Sequence, residues 1–90
     1  MGEMAVDQDL IRALDLAQSG NWDAAHRIVQ HYETDPLACW LHAVLHKIEP
    51  DESNARYWYR RSGGRDYADF SDPEAELAAI RVAGAASRKS

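Results

Sequence analysis

The sequence predicts an all-α fold of about five helices, arranged as antiparallel helical hairpins followed by a C-terminal capping helix. Three observations predict it. Apolar residues recur at three- and four-residue spacing in successive segments, as one face of a helix requires. Helix-start residues and helix-stopping glycines or prolines punctuate those segments at Gly20-Asn21, Asp35-Pro36, Pro50-Asp51, Gly63-Gly64 and Asp72-Pro73. No stretch alternates apolar and polar residues as a half-buried strand would.

Residues 1–5 read as a loose end, after which Val6, Leu10, Ala13, Leu14 and Ala17 share one face of a first helix that runs to Ser19. Gly20 suits the left-handed position beyond it, where a Cβ would clash. Asn21 is placed to cap a second helix, with Asp23 in its positive first turn and Trp22, Ala25, Ile28, Val29 and Tyr32 facing inward. The third helix, Leu37 to Ile48, is the most apolar segment of the chain. Leu37, Leu41, Val44, Leu45 and Ile48 form its aliphatic stripe with Trp40 on the flank, and Cys39, His42, Ala43 and His46 form a softer opposite face. A helix apolar nearly all round belongs at the centre of a fold. Asp35 accepts from its free N–H groups, Pro36 gives up an N–H that would have no partner, and Pro50 stops it.

Asp51 then caps a fourth helix from about Glu52 to Ser62, with Ala55, Trp58, Tyr59 and Ser62 on one face. A polar connection, 63–71, leads to Asp72-Pro73-Glu74, which opens a fifth helix on Leu77, Ile80, Val82 and Gly84. The basic Ser87 to Ser90 suits the negative end of that helix. The expected organisation is one domain, 1–90: a helix pair over 6–36, a second pair over 37–62, a loop over 63–71 and a capping helix over 72–87.

Charge and cysteine usage bound the function. A net charge of −5 on 90 residues argues against general nucleic-acid binding and for solubility. The single cysteine, Cys39, has no partner for an internal disulfide and sits in the most apolar segment, so a buried, reduced and inert thiol in a cytoplasmic protein is expected. The opening Met-Gly-Glu-Met-Ala-Val lacks the basic start and apolar run of a secretory leader. No run reaches the ~18 apolar residues of a membrane span.

Shifting the chain by 30 residues lays Ala13 on Ala43, Asn21 on Asp51, Ala25 on Ala55 and Val29 on Tyr59. Gly20-Asn21-Trp22-Asp23-Ala24-Ala25 resembles the turn and second-helix start of the tetratricopeptide repeat, and Asn54-Ala55-Arg56-Tyr57-Trp58-Tyr59 resembles its sel-like relatives. The likeness covers about residues 6 to 62 and departs in period, 30 against about 34, and in placing His42 and His46 where the family has leucine and an aromatic. The string from Trp40 to Tyr59 also resembles a group of small uncharacterised bacterial and fungal proteins, a likeness that implies no activity. The repeat resemblance implies a concave face lined by the first helix of each pair, here by Trp40, Val44 and Lys47, and a use in binding proteins or peptides. Two repeats bury their faces only against neighbours, so either the fifth helix or a second copy closes the array.

Two groups of residues carry chemistry. His42, His46 and Glu49 lie at i, i+4 and i+7 on one helix face and form a candidate set of ligands for a divalent transition metal. The alternative is that Tyr57, Tyr59 or Asn54 hydrogen-bonds the two rings and keeps them neutral. His26 and His31, five apart, point in different directions and do not chelate together. Arg56, Arg60, Arg61 and Arg65, interleaved with aromatics, form a basic patch in an acidic chain, suited to a carboxylate or phosphate. Against this, surface arginines pairing with Asp66, Asp69 or Asp72 would be an ordinary solvated face. No Gly-rich phosphate loop, CxxC, HExxH or GxSxG is present, so no catalytic residue and no cofactor are expected; the alternative is a small metal- or anion-dependent enzyme built on His42, His46, Glu49 and the arginines. The expected partner is an acidic protein or peptide.

Overall fold

The start and stop signals act where they stand. In the computed structural model, which describes the backbone over 2–88 and side chains over 8–86, the chain forms α1 (Gly2–Gln18), α2 (Trp22–Val29), α3 (Pro36–Ile48), α4 (Glu52–Tyr59) and α5 (Pro73–Arg88), with a 3-10 turn at Tyr67–Asp69 before α5. No strand occurs among the described residues. The Asp35 carboxylate accepts from the Ala38 N–H at 2.9 Å, with Pro36 in the first position. Asp51 accepts from the Asn54 side-chain amide at 2.7 Å and, less closely, from its N–H at 3.4 Å.

Asn21 works differently from expectation. Its side chain makes no capping bond. Its N–H closes α1 instead, donating to Leu16 O at 2.8 Å while the Gly20 N–H donates to Ala17 O at 3.1 Å. That pair of bonds requires a left-handed residue between them, and Gly20 supplies it at φ 86°.

Three boundaries or faces also shift. Helix α1 already begins at Gly2, so the expected loose end is helical from there. Helix α4 ends at Tyr59 because the Arg61 and Ser62 N–H groups turn back to Trp58 O and Tyr59 O, both at 3.0 Å, ahead of the positive-φ pair Gly63-Gly64. Val82 is 69% exposed, since it lies two residues from the buried Ile80 and so on the opposite side of α5. The side chains of Val6 and of Ser87 to Ser90 lie outside the described residues.

Packing makes α3 the centre. Helix α1 lies on α2 and α3 on α4, while α5 packs across both α1 and α3. Every residue from Ala38 to His46 is buried. Ala13, Ala25, Ala43 and Ala55 are each at 0% exposure, so small residues stand at the core of both helix pairs. Leu14, Leu41 and Leu45, also buried to 1% or less, supply bulk, and each such side chain stabilises the fold by about 1.5–3 kcal/mol.

The open concave face expected along Trp40, Val44 and Lys47 is not there. Trp40 is 5% exposed and Val44 0%, and the Lys47 side chain keeps only 8%. Helix α5 and the 3-10 turn cover them by means of one carboxylate. Glu76, 0% exposed, accepts from Trp40 Nε1 at 2.7 Å, Tyr59 Oη at 2.6 Å and Lys47 Nζ at 2.9 Å. Lys47 Nζ also donates to Tyr67 O and Phe70 O, both at 3.0 Å. Burial, then the bond to Glu76, raises the Tyr59 phenol above its ordinary pKa and keeps it a donor. Glu76 stands in the first turn of α5, where the helix dipole favours a carboxylate.

Glu76→Ala should therefore strand the Lys47 ammonium in the core and cost about 3–5 kcal/mol. Lys47→Met combined with Glu76→Gln removes both charges and keeps an acceptor for Trp40 and Tyr59, so it should be less destabilised than Glu76→Ala. Urea denaturation midpoints of the two variants check this; an unchanged midpoint for Glu76→Ala would show that the network does not hold the fold.

Candidate functional site

On the side of α3 away from Glu76, three histidines meet. His42 and His46 are one turn apart on α3, and His26 comes from α2, one turn after Trp22. Helix α2 is held to α3 by the Trp22 indole, whose Nε1 donates to Leu45 O at 2.6 Å. That contact fixes the face carrying residues 22 and 26 against α3.

The imidazoles sit between two tryptophans. Trp22 stacks on His26 with ring centroids 4.6 Å apart and planes at 14°, and Trp58 stacks on His42 at 3.9 Å and 12°. The His26 ring meets His42 edge-on at 4.8 Å and His46 at 5.2 Å, and His42 lies over His46 at 5.1 Å. His26 Nε2 and His42 Nε2 are 3.1 Å apart. Two neutral rings at that distance share one proton, one nitrogen donating and the other accepting. His46 Nδ1 donates to Glu49 Oε1 at 3.0 Å, since an ionised carboxylate can only accept.

One nitrogen is left over. His42 is 3% exposed and its Nδ1, fully buried, has no partner among the described residues. Burial, and then the neighbouring His26 and His46 rings, push the His42 pKa down to about 3. Burial and then His46 also lower that of His26, with Glu49 and Asp23 pulling weakly the other way. Near neutral pH both rings hold their lone pairs.

The metal set expected from sequence is thus rearranged. One potential ligand atom each from His26, His42 and His46 fall within 4.8 Å of one another, and a second such group consists of His46, Glu49 and Asp51. Glu49 does not join His42, because it is engaged with His46 Nδ1 one turn away. Tyr57, Tyr59 and Asn54 are not the partners of the rings: they bond Arg61, Glu76 and Asp51 respectively. His26 was missed. Its signal was the four-residue step from Trp22, which puts both on the inward face of α2. His31 is exposed, as its different direction implied. Cys39 is buried, its Sγ donating to Glu33 O at 3.2 Å, and burial raises its pKa above the thiol's ordinary value.

The arginines lie apart from the histidines in role. Arg56 Nε donates to Glu52 at 2.7 Å and its guanidinium lies over Tyr67 at 4.7 Å. Arg61 lies 4.7 Å from the Tyr57 ring centre and donates to that tyrosine's hydroxyl at 2.8 Å. Arg65 lies over Trp40 at 4.3 Å and donates to Ser62 O at 3.0 Å. Among the described residues Arg60, Arg61 and Arg65 pair with no carboxylate, so Asp66, Asp69 and Asp72 do not neutralise them. The apolar cleft between α1 and α5, lined by Leu10, Ile11, Leu14, Ile80 and Gly84, touches neither group. No helix among the described residues is long and apolar enough to cross a membrane.

Comparison of the chain with protein-family models, with curated proteins and with solved structures found no match.

The buried rings carry a pH signature. His42 has a folded pKa of about 3 against 6.5 in the unfolded chain, so below pH 6.5 the unfolded state binds the extra proton. Stability of the metal-free protein should be fully present above pH 6.5 and fall as pH drops, by at most about 1.4 kcal/mol per pH unit for this group. Denaturation midpoints between pH 7 and about 5 check it. His42→Phe, which keeps the stack on Trp58, should flatten the slope; an equal slope in that variant would assign it to other groups.

Proposed function

We propose that this protein is a small, cytoplasmic, non-enzymatic binding module of repeat-like helical hairpins, and that its partner is an acidic protein segment. One observation carries the reading: in a chain of net charge −5, three guanidiniums, Arg60, Arg61 and Arg65, lie within six residues of the α4 C-terminus without carboxylate partners among the described residues. Two of them are already oriented by aromatic supports and hydrogen bonds. A cation held in place loses less side-chain freedom on binding than a free one, which favours a planar, bidentate fit to carboxylates. Exposed Tyr57, 41% accessible beside Arg61, adds an amphipathic contact of the kind enriched at interfaces.

The bland alternative is that these cations only complement the negative end of α4. It accounts for Arg60 and Arg61 but not for Arg65, five residues beyond the capping Arg60 and turned back through Gly63-Gly64. The cytoplasmic assignment rests on the single buried thiol, whose reduced state suits a reducing compartment.

Arg60→Glu with Arg61→Glu should abolish affinity for acidic peptides while the far-ultraviolet circular dichroism spectrum stays the same, because both side chains are exposed. Binding of the natural protein should weaken steeply with salt, as screening over about 8–10 Å removes the steering. Fluorescence anisotropy with a labelled glutamate-rich peptide measures both. Equal affinity in the double variant would reduce the patch to a solvated face.

A further inference from the structure

We propose that His26, His42 and His46 form a binding site for one divalent transition-metal ion of the zinc class, with Glu49 as the carboxylate that orients His46. Among the described residues the site meets the arginine surface only at Trp58, whose ring lies 6.0 Å from the Arg61 guanidinium, and it does not depend on the function proposed for that surface.

Geometry comes first. Two imidazole nitrogens bound to one tetrahedral ion at 2.0–2.1 Å stand about 3.3–3.4 Å from each other. His26 Nε2 and His42 Nε2, 3.1 Å apart, are close to that separation already. One ligand nitrogen of each of His26, His42 and His46 lies within 4.8 Å of the other two, so the third ring stands near enough to complete a three-histidine set. The ligands come from two helices, and the α2–α3 contact is fixed by the indole bond of Trp22.

The supporting groups fit as well. A metal-bound histidine ordinarily donates its other ring N–H to a carboxylate or carbonyl, which fixes tautomer and orientation. His46 has that arrangement through Nδ1 and Glu49 at 3.0 Å, which leaves its Nε2 lone pair for the ion. Trp22 and Trp58 wall two of the rings and hold them in plane. Neutral imidazole is the ligating form, and the lowered pKa values of His26 and His42 mean that an ion displaces almost no protons there at pH 7. The carboxylates of Glu49 and Asp23 act on His26 and that of Asp51 on His46, and all three favour a cation. His26 is only partly buried, so an ion has a route in and water can fill a fourth position.

Plain packing explains the cluster less well. Three titratable rings in mutual contact share few hydrogen bonds, and the close Nε2 pair of His26 and His42 has only one proton between two nitrogens. Apolar side chains of the same size would fill that space without such a penalty. An ion would bond Nε2 of both rings and leave the His42 proton on Nδ1, whose lack of a partner is the same with or without the ion.

The test uses the full chain with any affinity tag removed, stripped with a chelator and titrated with zinc chloride by isothermal calorimetry, and with cobalt chloride by visible absorption. The expected result is one ion per chain, with cobalt giving the intense visible bands of a tetrahedral site. His26→Ala, a change at the partly exposed ligand that leaves the α3 core intact, should weaken zinc binding at least about tenfold, and Glu49→Gln should weaken it about 10- to 100-fold. Circular dichroism confirms that both variants are folded. His31→Ala, at an exposed histidine outside the cluster, should change nothing. Absence of stoichiometric binding, or binding that survives His26→Ala or is lost in His31→Ala, would overturn the site.

Discussion

The fold depends on a single buried carboxylate. Glu76 enters the core from the first turn of α5 and meets Trp40 and Lys47 on α3 and Tyr59 on α4, so one side chain joins three helices. Lys47 extends the network to the carbonyls of Tyr67 and Phe70 and fixes the connection between α4 and α5. A pair of buried charges contributes little net stability compared with apolar residues. What it contributes here is position: a slide or rotation of α5 would leave a charge and two buried donors unpaired at once. Apolar contacts among Leu77, Ile80 and the α3 stripe tolerate small shifts, but these bonds do not.

The same constraint decides which surfaces are available. Two helical hairpins alone would leave the α3 face of Trp40, Val44 and Lys47 open, as their likeness to stacked repeats implies. Closing that face with α5 completes the core of a small domain, which otherwise buries too little surface to be stable. The cover also brings Arg65 over the Trp40 ring, so that arginine ends up at the rim of the closed face rather than inside a groove. The α3 residues that an open repeat face would offer are therefore taken up by capping.

Local rules made most of the fold legible. Helix count and order follow from Asp35-Pro36, Asp51, Gly63-Gly64 and Asp72-Pro73, each of which acts within a few residues of itself. The centrality of α3 follows from its being apolar on nearly every side. What could not be read was tertiary pairing. Glu76 looks solvated in sequence because its three partners stand 17 to 36 residues away. His26 looks isolated because i, i+4 logic sees one helix at a time, and the ring meets its neighbours only after α2 folds onto α3. The pairing of His42 and His46 was legible from spacing alone, whereas the place of Glu49 was not: i+7 shares the face with His42, but the carboxylate bonds the nearer ring, three residues before it at His46.

Helix α3 thus carries two buried polar clusters, one on either side, and their difference is informative. Toward α5, both oxygens of Glu76 are engaged and Lys47 has three acceptors, so the cluster is complete as it stands. Toward α2 and α4, three imidazoles share one proton-mediated contact, a carboxylate touches one ring from outside, and one buried nitrogen is idle. Packing alone selects for the first kind of cluster and against the second, because each unsatisfied buried atom costs about 1–3 kcal/mol without contributing to the core. The satisfied cluster is the one that builds the fold, and the unsatisfied one is where chemistry is to be sought.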